Sequence, residues 1–193
     1  MNIVLELDIT LLHTRPAIWR RVQVPPRLNF HELHCVVQLA MGWYNCHLYQ
    51  FILGDRDEFM TLPSEFDWQT PIDSRTVLVG DYLADNGEKI AYEYDFGDGW
   101  MHEIKVRNVL DADPALSYPR LVAGERACPP EDCGGPWGFA ELVEAMKKPR
   151  TKAYRELVEW LGEPFDPEAF DAEEVNRYRF KDFKKQVKDM TFL

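Results

Sequence analysis

No apolar run of 18 residues occurs in the chain, so no stretch is long enough to cross a bilayer as a helix. Residues Met1 to Glu6 lack a basic segment followed by an apolar core, so no secretory leader is expected and the chain reads as cytoplasmic. Cysteine is sparse, with four in 193 residues; in a reducing compartment these are thiols or metal ligands rather than disulfides. Basic residues are in deficit. The 22 Lys and Arg against 33 Asp and Glu leave a net charge of -11, which repels phosphate backbones and anionic lipid surfaces. Nucleic acid is therefore a disfavoured partner, with Arg20-Arg21 and Lys181 to Lys188 as the sole local basic patches. There is no internal repeat and no low-complexity tract. Asp95-Phe96-Gly97 spells the kinase metal motif, but no glycine-rich loop, strand lysine or His-Arg-Asp loop precedes it. Gly97-x-Gly99 falls short of a dinucleotide fingerprint, and the acidic spacing is not that of an EF-hand.

What is present is ordinary globular composition, 46% hydrophobic, in a chain long enough to bury roughly 70% of its unfolded surface. Residues 2–12 alternate, with Ile3, Leu5, Leu7, Ile9 and Leu11 on one face, and predict a half-buried strand. Ile18 to Val24 predicts its antiparallel return before Pro25-Pro26. Arg20 shares the apolar parity there, near an expected edge, and is expected to take a carboxylate partner. Asn29 with Glu32 predicts a capped helix from Phe30 to Met41, ended by Gly42. His34 lies on its apolar stripe, with His31 and Cys35 on a flanking face.

His47 to Leu53 predicts a third strand, residues 59–75 a long surface loop, and Thr76 to Val79 a short strand. Lys89 to Phe96 and Trp100 to Val106 predict a hairpin closed at Asp98-Gly99. Its parity places His102 with Ile104 and Val106, and Asp95 on the opposite face. Residues 111–136 read as loop, and helices follow over Trp137–Lys147, Tyr154–Leu161 and from the Asp171/Glu174 capping pair to Val187. Strands early and helices late predict an α+β fold. The expected arrangement is a mainly antiparallel sheet with helices on one face, as a single domain over 1–193.

Chemistry concentrates in two places. Cys128-Pro-Pro-Glu-Asp-Cys133 has a spacing used for paired zinc thiolates. His102 and His47 are the natural further ligands for zinc, with His34 as substitute; a rigid proline loop with free thiols would have the same spelling. Cys133 also precedes a helix start that favours a thiolate, although Glu131 and Asp132 oppose a further anion. The second place is the acidic turn, where Asp95 and Asp98 with His102 suit a divalent metal or general acid–base chemistry. A plain turn and a core histidine would look alike. Asp95, Asp98, Trp100, Glu131 and Asp132 form the expected binding set.

Several stretches occur together: Pro16-Ala-Ile-Trp-Arg-Arg-Val22, Leu33-His34 with Gln38, Met41-Gly42-Trp43, His47-Leu48 with Phe51, Tyr92-Glu-Tyr-Asp-Phe-Gly-Asp98 with Trp100 and His102, and Cys128-Pro-Pro-Glu-Asp-Cys-Gly-Gly135. Trp160-Leu161, Phe165-Asp166-Pro167 and Phe170-Asp171 complete the set. In this the chain resembles the plasmid Ri open-reading-frame-three-like family, also labelled insertion-element passenger or TnpR-like proteins. The resemblance spans nearly the whole chain. It implies a single α+β domain of bacterial, archaeal or plasmid origin and an association with mobile elements, and brings no catalytic residues with it. The residues themselves lead to an accessory or binding protein for an unidentified protein or small molecule, with a site between the 95–102 turn, the 128–135 loop and His34 or His47. The alternative is a metal-dependent hydrolase using Asp95, Asp98, His102 and the cysteines or His47.

Overall fold

The computed structural model describes residues 2–54, 58–63 and 70–190. Eight strands form one sheet: β1 (Ile3–Leu11), β2 (Ile18–Val24), β3 (Tyr49–Leu53), β4 (Glu58–Thr61), β5 (Ile72–Asp73), β6 (Lys89–Tyr94), β7 (Trp100–Asp111) and β8 (Arg120–Glu125). Their order is β5-β4-β3-β6-β7-β1-β2-β8, antiparallel except for the β4–β5 pair. Five helices accompany them: α1 (Phe30–Met41), α2 (Gly135–Met146), α3 (Lys152–Leu161), α4 (Ala172–Tyr178) and α5 (Phe183–Asp189). The α+β arrangement expected from the sequence is what is found.

Alternation decides which face is buried. Leu5, Leu7, Ile9 and Leu11 meet Ile18, Val22 and Val24 across one ladder and Ile104 and Val106 across the other, and all are buried. The opposite face is a polar ladder in which Arg21 pairs with Asp8 at 2.6 Å and Gln23 and Asn108 both donate to Glu6. A bulge at Arg107 shifts the β1–β7 register and keeps the apolar faces aligned above and below it.

α1 carries the predicted cap. Asn29 accepts from the Glu32 N–H, Glu32 accepts from the Asn29 N–H, and Gly42 ends the helix at φ 104°. Every residue of α1 except Glu32 is buried, because it lies between the sheet and the C-terminal helices. That is why His31 and Cys35, expected on a flanking face, are in the core.

Five expectations need correction. Arg20 is inward as expected, but β8 covers the supposed edge and no carboxylate among the described residues pairs with it. Its guanidinium donates to the carbonyls of Ala40, Trp19, Glu125 and Arg126 instead. β8 lies inside the stretch read as loop, where Gly124 and the lack of apolar–polar alternation in Arg120–Glu125 hid it. Residues 59–75 carry β4 and β5, although 64–69 lie outside the described residues. Thr76 to Val79 is mostly turn, with a single bridge at Leu78. The last predicted helix is two, α4 and α5, broken where Asp182 turns left-handed at φ 58°.

Replacing the fully buried Leu7 by Ala is expected to cost about 2–5 kcal/mol through lost burial and a cavity. Asp8→Asn, on the half-exposed face, should cost no more than about 1 kcal/mol. Urea denaturation of the two variants checks the assignment of faces.

Candidate metal centre

Three loops converge beside the end of the central hairpin. The first is the connection Trp43 to Leu48 that leads from α1 into β3. The second is the turn Asp95 to Gly99 between β6 and β7. The third is the Cys128–Cys133 loop ahead of α2. In the turn, strand β6 stops at Tyr94 and Asp95 adopts a left-handed conformation at φ 54°. This overturns the expectation that Asp95 continues the strand parity beside Glu93. Asp95 is instead buried and turned toward the third loop. Its Oδ1 accepts from the N–H groups of Gly97 and Asp98, which leaves Oδ2 directed elsewhere.

The turn and the third loop lock together through glycine. Gly134 donates its N–H to Asp98 Oδ2 at 3.1 Å, and Gly135 sits so close to the Asp98 carbonyl that a Cβ there would collide with it. Trp43 adds a second fastening, donating its indole N–H to the Pro129 carbonyl at 3.0 Å. Glu131 adds a third. Its Oε1 accepts from the Tyr44 N–H at 2.9 Å and from the Tyr94 hydroxyl at 3.0 Å.

His47 lies among the acids that this assembly gathers. Its Nε2 is 3.1 Å from Asp132 Oδ1, 3.5 Å from Asp95 Oδ2 and 3.9 Å from Glu131 Oε2. Both His47 Nε2 and Glu131 Oε2 are buried atoms without a hydrogen-bond partner among the described residues. One ligand atom each from His47, Asp95 and Asp132 falls within 4.8 Å of the others. Four ligands about 2.1 Å from a tetrahedral ion stand roughly 3.4 Å apart, and the 3.1 and 3.5 Å separations of His47 Nε2 from Asp132 and Asp95 are of that order. Burial of Glu131 raises its carboxyl pKa, since desolvation penalises the anion. Asp95 is nearly enclosed, at 9% side-chain exposure, whereas Asp132 is 71% exposed, so the group opens to solvent on one side.

The residues expected here are therefore only partly assembled. Asp95, Glu131, Asp132 and His47 come together, and Asp98 holds the loop rather than joining them. His102 is fully buried: it donates from Nδ1 to the Trp100 carbonyl and meets the edge of Trp43, and burial lowers its pKa to about 4. Trp100 is equally buried, behind Trp43, and reaches no ligand-accessible surface. Cys128 and Cys133 belong to no group of three metal-donor side chains among the described residues. Burial pushes both thiols up, that of Cys133 to about 12, which also opposes the nucleophilic thiolate reading.

His34 is built into a different network. Asn45 donates from Nδ2 to the Met190 carbonyl, so its Oδ1 accepts the His34 Nε2–H at 2.8 Å. His34 Nδ1 then accepts from the Tyr92 hydroxyl at 2.8 Å, and that hydroxyl accepts from Gln38. The ring stacks on Tyr49 and is neutral, burial having lowered its pKa to about 3. It is therefore no substitute ligand. The supports the sequence did not reveal are the Tyr44 backbone and the Tyr94 hydroxyl. Tyr94's inward parity was the available signal, because a buried phenol requires a polar partner.

An eight-stranded α+β protein with a histidine–carboxylate centre at a hairpin end is the class that fold and geometry define. The chain belongs to a named family: residues 3–174 match the model of the plasmid pRiA4b ORF-3-like proteins. It is 41% identical over 176 residues to the uncharacterized protein y4hQ of Sinorhizobium fredii, covering 90% of this chain and 89% of that one. Its structure is similar to the crystal structure of MM3350, a protein of unknown function from Methanosarcina mazei Go1. The TM-score is 0.81 and the identity 32%, over 90% of this chain and 98% of that one.

Two outcomes follow from the site's construction. Gly135→Ala, forced against the Asp98 carbonyl at φ 68°, should destabilise the protein by about 1–3 kcal/mol, measured by urea denaturation. The second concerns acid. His34 and His102 have folded pKa values below the unfolded value of about 6.5, so the unfolded chain binds protons first as pH falls. Their stabilisation is complete above pH ~6.5 and is lost as pH drops toward ~4, at about 1.4 kcal/mol per pH unit for each ring. Urea midpoints at pH 7 and 5, with NMR titration of the two imidazoles, check this. A ring that titrates near 6.5 in the folded protein contradicts it.

Proposed function

We propose that the protein is a metal-binding accessory protein whose divalent ion is held by His47, Asp95 and Asp132, with Glu131 as a fourth donor or as the partner of a bound water. The observation that carries this is the buried His47 Nε2, without a hydrogen-bond partner and ringed by carboxylate oxygens from two loops. Imidazole with carboxylates suits zinc or manganese, and two or three carboxylates offset the charge of a divalent ion. The Asp95 backbone clamp and the Tyr44 and Tyr94 bonds to Glu131 hold the donors in place before an ion arrives, as supporting hydrogen bonds do in metal sites. The family assignment supports the accessory reading, as the matching model is that of a plasmid open reading frame.

The exposed side of the group, at Asp132, favours a second reading. A metal with an open position there would supply a bound water of lowered pKa, and the protein would be a metal-dependent hydrolase. In that case Glu131, with its unpartnered oxygen and raised pKa, accepts the proton.

The test is elemental analysis of tag-free protein equilibrated with zinc and with manganese. The expected result is close to one ion per chain, with at least tenfold weaker binding in His47→Ala and Asp132→Asn and little change in Cys128→Ser. Absence of metal from the wild type would overturn the metal reading and leave His47 as a polar neighbour of the acids. Metal lost in Cys128→Ser but kept in His47→Ala would return the site to the thiols. Metal-dependent cleavage of nitrophenyl phosphate or ester, lost in Glu131→Gln, separates the hydrolase from the binding protein.

A further inference from the structure

On the other side of the Cys128–Asp132 loop lies a cleft of about 720 Å³, between the end of α1, this loop and helices α3 and α4. That volume is in the range of small-molecule sites, roughly 300–1,000 Å³. Its charge is opposite to that of the metal centre. At its base Arg20 is 2% exposed, and its guanidinium donates four hydrogen bonds, all to main-chain carbonyls. A buried cation of this kind ordinarily has an anionic partner. Here the charge-bearing neighbours are the Cys128 thiol, which burial keeps protonated, and a second guanidinium, that of Arg179. Arg179 lines the cleft, fills the space beside Gly42 that a Cβ would need, and forms no ion pair among the described residues. The C-terminal carbonyls of α1 offset part of this charge, as Arg20 donates to Ala40, but a helix end amounts to only about half an elementary charge.

The carboxylates on the same walls are committed elsewhere. Glu131 is held by Tyr44 and Tyr94, Asp171 caps α4, and Asp132 faces His47; the Glu174 carboxylate has no ion-pair partner among the described residues. Aromatic rings supply much of the remaining lining. Trp160 and Tyr178 stand 51% and 67% exposed at the mouth, and Phe170 lies over Arg20 at 4.5 Å.

We propose that this cleft binds a small organic anion, its phosphate or carboxylate head at Arg179 over the buried charge of Arg20 and its flat apolar body along Trp160 and Tyr178. A guanidinium presents paired donors that match either head group. A polyanion such as nucleic acid is opposed by the net charge of -11, whereas a single head group meets the one cationic recess. The inference shares a wall with the metal centre but does not require a metal.

The experiment is calorimetric titration of the full chain, metal-loaded and metal-stripped, with four probes: 1-naphthyl phosphate, 2-naphthoate, 2-naphthol and inorganic phosphate. Either ring-bearing anion, or both, should bind one per chain, at least tenfold tighter than naphthol or phosphate and more weakly as salt rises. Arg179→Gln should weaken the anions at least tenfold and leave naphthol unaffected. Trp160→Ala should weaken every ring-bearing probe. A thermal melt of each variant confirms that it is folded. Equal affinity for naphthol and the anions, indifference to Arg179→Gln, or no anion binding at millimolar concentration overturns the proposal. Metal content is read in the same samples, so an empty metal centre with anion binding intact counts against the metal reading alone.

Discussion

Both sites depend on how the Cys128–Gly135 loop is docked onto the central hairpin. Gly134 donates to Asp98, Gly135 gives the backbone room to approach, Trp43 holds Pro129, and Glu131 bridges Tyr44 and Tyr94. These contacts are short-range and directional, and they come from three separate segments of the chain. Moving any one of them would take Asp132 and Glu131 away from His47 and would also reshape the cleft wall that this loop forms.

Beneath the loop is a core that is polar in an ordered way. His34, Tyr92, Gln38 and Asn45 form a chain in which each donor has one acceptor, so the tautomer of His34 is determined by its surroundings. His31, Tyr49 and Ser74 form a second chain beside it. Such networks resist rearrangement, because a broken link leaves a desolvated group without a partner. They make a stiff floor for the loops above, and Asn45 couples it to Met190 at the end of the C-terminal helices.

Charge is sorted across the loop. Three carboxylates from two loops face His47 on one side, and the guanidinium groups of Arg20 and Arg179 face the cleft on the other. A protein with an overall acidic balance thus keeps a local cationic recess, which the net charge alone would not disclose.

Local chemistry in the sequence determined the elements whose signals are local. The Asn29–Glu32 cap, Gly42, the alternation of β1 and the inward parity of Tyr92, Tyr94 and His102 are all legible, because a cap spans four residues and a strand face has period two. The candidate acids of the turn and loop were legible too, as Asp98-Gly99 marks the hairpin turn and the Pro129-Pro130 and Gly134-Gly135 pairs mark the loop. Tertiary structure decided the rest. Whether His47 or His102 meets those acids depends on which lies outside the sheet's covered face, and Trp43 packs against the fully buried His102. Whether Arg20 finds a carboxylate depends on β8, a strand without a clear pattern that is held at its outer side by Asn176 bonding both the N–H and the carbonyl of Leu121. Long-range pairing energies choose among such partners, and a single sequence does not record them.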